Sequence, residues 1–325
     1  MTARPVPPAV LRRMRCPKCH SPLSERDTKL VCTCGLEMLI QSGVIEGLHD
    51  LDSALATTIE SFGYEWTSFS EIQPEDEGYW RDQYFADVPL ERLRGTVALD
   101  AGCGKGRFSR FTSAHVGALV ALDASDAVIP ASQNLANLDN VVVMRADLLD
   151  LPFEDGSFGF ISCLGVLHHL PDPRQGFAGL VRVLEPSGLI LLYLYSRDVG
   201  RSLRKFGLQA ASYLRRVTTR MPHAALRVLS APVATALFIT FVLPGLVGEK
   251  LGIARLRRLP LSVYRGRPFR TLWLDTFDRL SAPIEHRYVW AEVEPWFVEF
   301  GLEVLSVRES AGLFILAQRP GNAEG

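Results

Sequence analysis

The sequence predicts an α/β protein with a doubly wound, mostly parallel sheet, preceded by a small cysteine-rich module and interrupted late by a helical insertion. Short apolar runs, typical of buried strands, alternate with helical stretches between residues 97 and 195. A glycine-rich turn follows the first of these runs directly. Together these observations indicate a sheet that binds a ligand at the carboxyl ends of its strands.

Five apolar runs predict the parallel strands in chain order. The first, "VALD", is followed by Gly102, Gly104 and Gly106. The second, "ALVALDAS", contains Asp123, and the third, "NVVVMRAD", ends in Asp147. The fourth and fifth are "FGFISCL" and "PSGLILLYLYS". Glycines allow a sharp turn and a close approach of ligand to main chain, and an acid after the second strand is where such folds bind a ribose diol.

Helical stretches separate and follow these strands. Helices are predicted over 107–113 and 174–184, and a last helix, "AEVEPWFVEFG", precedes the strands "LEVLSVRES" and "LFILAQRP". An aromatic stretch ahead of the sheet, "IESFGYEWTSFSEI", predicts one more helix with its rings on one face. That face either packs on the sheet or closes over the site as a lid, with Tyr64 or Trp66 near the reacting group.

The ordered motifs "LDAGCGKGRFS", "ALDAS", "ADLLDLPFEDGSF", "GVLHHLPD" and "LEPSGLILLYLY" resemble the class I S-adenosylmethionine-dependent methyltransferases, of the type 11 branch. The resemblance implies a Rossmann-like methyltransferase sheet. It implies that Asp100 and the glycine loop cradle the methionine part of the cofactor, that Asp123 holds the ribose hydroxyls, and that Asp147 faces the adenine, with Leu148 on the ring. The cofactor-binding residues that it implies are Asp100, Gly102, Cys103, Gly104, Gly106, Asp123, Ala124, Asp147, Leu148 and Cys163.

Each of these residues also has a plain structural interpretation. Asp100 and Asp147 could cap turns, and the cysteines could be buried spacers. The fourth strand opens with Phe158-Gly159, where the family usually has Phe-Asp. The missing acid is expected to affect folding more than chemistry.

Two histidines are the candidates for catalysis. His168 and His169 directly follow the fourth strand, at the carboxyl end of the sheet, and a histidine there can act as a base near neutral pH. The alternative is that one of them is structural and bonds a loop carbonyl. Because methyl transfer mainly requires alignment of the acceptor and exclusion of water, no catalytic triad is expected. The segment before the last helix resembles a branch of small-molecule methyltransferases in which it closes on the acceptor, which implies that His286, Arg287 and Tyr288 contact the substrate.

Four cysteines in the first 50 residues predict a metal site. A Cys-x-x-Cys pair, Cys16 and Cys19, is followed by a Cys-x-Cys pair, Cys32 and Cys34, which fits a four-thiolate zinc site. The alternative is four reduced cysteines in a small hairpin. The run resembles the zinc-ribbon leader found ahead of some bacterial methyltransferases. Because so short a module buries little core, the metal is expected to supply its folding free energy.

These features divide the chain into five predicted segments. They are a zinc-ribbon-like module at 1–50, a helical lid at 51–95, the S-adenosylmethionine-binding core at 96–196, a cap insertion at 197–287 and a return to the core at 288–325. The net charge of −1 hides an asymmetry, because the insertion alone holds seventeen Lys and Arg against five Asp and Glu. Such an imbalance indicates a basic local surface.

Within the insertion, no charged residue lies between Arg227 and Glu249. Pro232 and Pro244 predict an uninterrupted helix of only residues 233–243, too short to cross a bilayer and expected to be buried in protein, lining an acceptor pocket. The alternative is a hairpin that dips into a membrane and is held at anionic headgroups by flanking arginines.

The function expected from these features is methyl transfer from S-adenosylmethionine to a small-molecule or lipid-like acceptor. One alternative is an RNA methyltransferase that grips phosphates with its ribbon and basic insertion. Arginines set among apolar helices, with few interleaved aromatics, argue against nucleic acid as a partner. A second alternative is a non-catalytic cofactor-binding partner of another protein. The opening stretch "MTARPVPPAVLRRMRC" lacks an apolar run long enough for a signal peptide, so a cytoplasmic location is expected, with peripheral membrane contact as the open alternative.

Overall fold

The computed structural model describes residues 5–48, 53–72, 77–197, 211, 213–310 and 312–321. The chain divides into two compact units. The first, here called the core unit, comprises Met1–Asp198 and Ile284–Gly325. The second, called the inserted unit, is Val199–Pro283.

The core unit is built on a sheet of eleven strands among the described residues. The strands are β1 Ser24–Arg26, β2 Lys29–Val31, β3 Glu37–Gln41, β4 Val44–Glu46, β5 Val97–Ala101, β6 Ala118–Asp123, β7 Val141–Arg145, β8 Phe158–Leu164, β9 Leu184–Tyr195, β10 Glu303–Glu309 and β11 Gly312–Gln318. The helices are α1 Pro8–Leu11, α2 Ser53–Ser68, α3 Glu77–Tyr84, α4 Arg107–Ser113, α5 Val128–Asn134, α6 Pro173–Val183, α7 His223–Leu237, α8 Leu243–Leu251, α9 Ala254–Arg257, α10 Phe269–Ser281 and α11 Trp290–Glu299.

The five central strands are parallel and lie in the order β7-β6-β5-β8-β9. β11 then pairs antiparallel with β9, and β10 pairs antiparallel with β11. The predicted α/β class with a doubly wound, mostly parallel sheet is therefore confirmed. From β5 the chain builds the sheet outward through β6 to β7, and it then returns to place β8 on the other side of β5. In open α/β sheets the ligand crevice forms at such a change of direction, here between β5 and β8.

The central strands are apolar along almost their whole length because both faces of the sheet are covered. All five residues of β5 are buried, as are the first five of β6. The helix predicted over 107–113 is α4, and the one predicted over 174–184 is α6. α6 begins where the Asp172 carboxylate accepts hydrogen bonds from the backbone N–H groups of Arg174 and Gln175.

The cysteine module extends the main sheet. β1 to β4 form consecutive antiparallel pairs, and β4 then pairs in parallel with β7, with Ile45 opposite Met144. Met14 and Met38 of the module are fully buried in the same hydrophobic core as the central strands. The module therefore shares its core with the sheet, in contrast to the expectation that it buries too little core and takes its folding free energy from the metal.

An ion pair at the base of the sheet explains the unusual start of the fourth strand. The Arg13 guanidinium lies 3.2 Å from the Glu185 carboxylate and also donates to the Ser157 carbonyl oxygen at 2.6 Å. A side chain on Gly159 would place its Cβ 3.2 Å from Glu185 Oε2 and 3.1 Å from Thr96. An acid at position 159 would thus meet a carboxylate that is already present, which is a physical reason for glycine there.

The inserted unit contains one long helix, His223–Leu251, 29 residues in length. It comprises α7, a π-helical turn over Phe238–Val242, and α8. The expectation that Pro232 and Pro244 limit the helix to residues 233–243 was wrong. Pro232 is accommodated inside α7, and the wider turn before Pro244, in which the Leu243 N–H bonds the Phe238 carbonyl, absorbs the second proline.

The long helix is also more exposed than its composition predicted. Only 22% of its most apolar stretch is buried, so the expectation of a helix enclosed in protein was wrong as well. Its buried side packs on α10, where the Trp273 Nε1–H donates to Ser230 Oγ at 2.9 Å. Ala234, Val242, Tyr264 and Leu272 form the small core of this unit.

Replacing Ile45 by Ala tests whether the module and the sheet unfold together. Ile45 is buried at the β4–β7 junction, so the cavity should lower the free energy of unfolding by about 2–5 kcal/mol. None of the five tryptophans lies in residues 1–50, so their fluorescence during urea unfolding reports on the rest of the chain. We expect the fluorescence midpoint to fall with the circular dichroism midpoint. Leu39→Ala, at an exposed position of β3, is the matched control, and a fluorescence transition unchanged by Ile45→Ala would mean that the module folds independently.

Candidate functional site

The turn between β5 and α4 has a backbone that favours glycine. Gly102, Gly104 and Gly106 all have positive φ, at 79°, 53° and 85°. A Cβ on Gly102 would lie 2.2 Å from a methyl group of Val166, and one on Gly104 would lie 3.2 Å from the Trp66 ring. The turn therefore combines left-handed backbone with close packing from two other elements.

Asp123, at the end of β6, contacts this turn. Its Oδ2 accepts a hydrogen bond from the Gly104 N–H at 2.9 Å, and its Oδ1 accepts from both the N–H and the hydroxyl of Ser125. Ala124 follows it and is half-buried. The carboxylate thus lies at the carboxyl edge of the sheet, against the glycine turn, as an α/β nucleotide site requires.

Asp100 is buried beneath the turn. Its Oδ2 accepts from the Ser109 hydroxyl at 2.5 Å and its Oδ1 from the Ser162 hydroxyl at 3.0 Å. Burial raises the pKa of Asp100 to about 6, although the two serine hydrogen bonds act in the opposite direction. Since both oxygens are bonded within the protein, this side chain fastens β5 to α4 and β8.

The remaining residues implied by the resemblance are built into the walls of the site. Asp147 Oδ1 accepts from the Leu149 N–H and so begins a 3-10 turn, while Leu148 is buried and faces Gly176 of α6. Burial raises the pKa of both the Cys103 and the Cys163 thiols above their ordinary value. These two cysteines are therefore neutral and unreactive as nucleophiles in this state.

One face of α2 covers both the glycine turn and the histidine pair. Trp66 lies over Gly104, and Phe62, one helical turn earlier, contacts the His169 ring with centroids 4.8 Å apart. Lys105 fixes the end of this helix, because its Nζ donates to the carbonyl oxygens of Phe69 and Glu71, each at 2.7 Å. Lys105 was not predicted from the sequence as a site residue. Its position inside the glycine-rich stretch "GCGKG" was the only feature that could have indicated a role.

The two histidines differ in environment although they are adjacent in sequence. His168 is completely buried, its ring lies 4.0 Å from the Tyr195 ring, and neither ring nitrogen has a hydrogen-bond partner among the described residues. Burial, together with Coulombic interactions with His169 and Arg287, lowers the pKa of His168 well below its ordinary value, so the imidazole is neutral. His169 Nδ1 lies 2.6 Å from the Ile284 carbonyl oxygen and must carry the proton there, because a carbonyl only accepts.

The segment that returns from the insertion completes this cluster. The His286 N–H donates to the His168 carbonyl oxygen at 2.8 Å, and the Tyr288 N–H donates to the Tyr195 carbonyl oxygen at 2.9 Å. The Arg287 guanidinium lies over the Tyr195 ring at 5.1 Å. Three positions that the resemblance implied for the acceptor thus lie beside the histidine pair. Tyr195, at the end of β9, was missed because the sequence showed it only as part of an apolar strand.

The four cysteines of the module come together. The sulfur atoms of Cys16, Cys19, Cys32 and Cys34 all lie within 4.8 Å of one another. Two of the distances, Cys19 to Cys32 at 3.3 Å and Cys16 to Cys34 at 3.7 Å, are close to the roughly 3.8 Å that tetrahedral ligands at about 2.3 Å from a metal would have. The donor set therefore fits a metal ion that prefers thiolates.

A family model described as a methyltransferase domain matches residues 99–192. A chloroplastic methyltransferase of Arabidopsis thaliana is 31% identical over 159 residues, 44% of this chain and 43% of that protein. A demethylmenaquinone methyltransferase of Staphylococcus aureus is 30% identical over 124 residues, 37% of this chain and 51% of that protein. A solved S-adenosylmethionine-dependent methyltransferase from Aquifex aeolicus is similar at 16% identity with a TM-score of 0.42, covering 77% of this chain and 100% of that one.

The matched region and the fold agree. Residues 99–192 run from β5 to β9 and include the glycine turn, Asp123 and the histidine pair. The matches cover between a third and about half of the length of the curated relatives. Residues 99–192 therefore match a methyltransferase domain.

Proposed function

We propose that this protein is an enzyme that transfers a methyl group from S-adenosylmethionine to a small-molecule or lipid-like acceptor. The observation that carries the proposal is that one face of α2 covers both the glycine turn, through Trp66, and the histidine pair, through Phe62. The proposed cofactor loop and the candidate proton acceptor thus lie under the same helix of the core unit.

The residues around the glycine turn fit the cofactor. Left-handed glycines expose main chain to a ligand, and Asp123 is a carboxylate already directed at that turn. Each carboxylate oxygen has two lone pairs, so Asp123 can accept from ribose hydroxyls in addition to its present donors. Asp147 would face the adenine from the turn after β7, while Asp100 holds the loop from beneath. When bound, S-adenosylmethionine would supply an activated methyl group on a sulfonium.

The protein's own contribution is to align the acceptor, exclude water and receive a proton. Phe62, Trp66 and Tyr195 give the site an apolar wall, which excludes water and suits an apolar or aromatic acceptor. His168 is neutral because burial lowers its pKa, which makes it a weak base in this state, so it would receive a proton only from an acceptor atom that methylation has made acidic. His169 is held by the Ile284 carbonyl and positions the pair.

A lipid-like acceptor is the narrower part of the proposal. The Staphylococcus aureus relative is named a demethylmenaquinone methyltransferase. The apolar wall of the site is compatible with an acceptor of that chemical class.

The test is incubation of the full chain with methyl-labelled S-adenosylmethionine and cell extract, followed by extraction into lipid, polar-metabolite and RNA fractions. We expect label in the lipid or small-molecule fraction. Asp123→Ala should weaken cofactor binding at least about tenfold by calorimetry, because it removes a charged hydrogen-bond acceptor. Asp126→Ala, an exposed acid three residues away, is the matched control.

Three outcomes would contradict the proposal. Label in RNA would support a nucleic-acid methyltransferase. Cofactor binding without label in any fraction would support a non-catalytic partner. Unchanged cofactor affinity in Asp123→Ala would remove the ribose role of this residue.

Replacing His168 by Phe separates catalysis from packing. The ring would still stack on Tyr195, and no hydrogen bond would be lost, because neither nitrogen has a partner among the described residues. If His168 accepts the proton, we expect kcat to fall by about 10²–10⁴ while the melting temperature and cofactor affinity stay unchanged. Full activity in this variant would show that the residue only packs.

We further propose that Cys16, Cys19, Cys32 and Cys34 bind one zinc ion. Four sulfur donors within 4.8 Å support a closed structural site. Elemental analysis of protein purified without chelator should find about one equivalent of zinc. Because β4 continues the main sheet, Cys34→Ala should lower the melting temperature of the whole core unit, and Cys103→Ala should leave the zinc content unchanged. A metal content near zero in the native protein would count against the site.

A further inference from the structure

The long helix of the inserted unit has two different faces. Its buried face includes two glycines that allow close packing: a Cβ on Gly245 would lie 2.3 Å from Arg265 Nε, and one on Gly248 would lie 2.5 Å from Leu256. The opposite face is exposed along the whole helix. We call it the apolar face, and its large members are Val228, Leu229, Val233, Ile239, Leu243 and Val247.

The apolar face is unusual for a helix that contacts water. It extends about 29 Å from Val228 to Val247 without a single charged residue. An exposed helix in a soluble protein normally places its charged residues on this side. A continuous exposed apolar surface of this kind marks a site of association.

The charge of the inserted unit indicates what kind of partner it meets. Residues 199–283 contain fifteen Lys and Arg against three Asp and Glu. Exposed arginines lie at both ends of the helix, with Arg216 and Arg220 before it and Arg255 and Arg257 after it. Apolar side chains bordered by exposed cations match the interface of a membrane that carries anionic lipids.

The contacts of the buried face exclude a spanning orientation. Arg265 packs against Gly245 and pairs with Glu249 at 2.9 Å, and Tyr264 bonds the Asp275 carboxylate on the adjacent helix α10. If the long helix crossed a bilayer, these charged groups would enter the hydrocarbon with it, at a large desolvation cost. If the helix lies parallel to the membrane surface, only its exposed apolar face enters the lipid.

We propose that the apolar face of the inserted unit docks in the plane of a membrane containing anionic phospholipids, with the flanking arginines at the headgroup phosphates. This docking does not depend on the proposed methyl transfer. A second copy of the chain is a poorer occupant, because bringing two such basic units face to face is opposed by their charge.

The test is flotation of the native full chain with two kinds of vesicle, phosphatidylcholine alone and phosphatidylcholine mixed with phosphatidylglycerol. We expect binding to the anionic vesicles, several-fold weaker at high salt and at least about tenfold weaker on neutral vesicles. Ile239→Asp, at a position 57% exposed, should lower the partition onto anionic vesicles at least about tenfold. Val228→Asp, at 72% exposure, is a second variant with the same expected loss.

Val298→Asp is the matched control, because Val298 is 74% exposed on α11 in the core unit and should bind like the native chain. Native-like binding by both aspartate variants of the long helix would overturn the proposal. So would equal binding to neutral and anionic vesicles, or release of the protein only by detergent. Failure to bind any vesicle, combined with self-association that Ile239→Asp abolishes, would assign the face to a second copy. The readout is lipid partition, so failure here leaves the methyltransferase proposal standing.

Discussion

The turn after β5 is the constraint on which the rest of the core unit depends. Three elements occupy the space where side chains at its glycines would lie: the loop after β8 at Gly102, α2 at Gly104, and the end of α5 at Gly106, where a Cβ would be 2.8 Å from Leu135. Any side chain there would displace one of these elements as well as strain the backbone. The glycine turn therefore packs directly against the covering helix α2 and against the loop that leads from β8 to the histidine pair.

The central sheet could be predicted from the sequence because its strands obey a local rule. A strand covered on both faces is apolar at successive positions, and this is visible in "VALD" or "ALVALD" without knowledge of any neighbour. The β4–β7 pairing could not be predicted in this way. β4 is three residues long, and its partner lies about a hundred residues further along the chain, so no local pattern records the contact. The same holds for Lys105, whose acceptors are carbonyl oxygens more than thirty residues away.

The two failures in the inserted unit have a common cause. Pro232 and Pro244 were expected to end a helix, because proline lacks a backbone N–H group and its ring clashes with the preceding turn. The helix instead continues through Pro232 within α7 and reaches Pro244 through a wide turn whose Leu243 N–H bonds five residues back. Once the helix continues, it buries Ala234, Val242, Gly245 and Gly248 on one side and leaves Val228, Ile239 and Val247 exposed on the other. Burial was therefore predicted for a whole stretch of which only one side is buried.

The histidine pair shows why residue identity alone did not assign roles. His168 and His169 are adjacent, so the sequence pattern gave no reason to assign them different roles. His168 has no hydrogen-bond partner for its ring among the described residues. His169 Nδ1 bonds the carbonyl oxygen of Ile284, 115 residues away. The segment that supplies this carbonyl, with His286 and Tyr288, follows the inserted unit directly and pairs with the end of β9, from which the chain leaves toward that unit. Both chain connections of the insertion thus meet at the wall of the proposed acceptor site. A segment inserted at this point can vary without disturbing the glycine turn, because connecting segments tolerate change better than the elements that they connect.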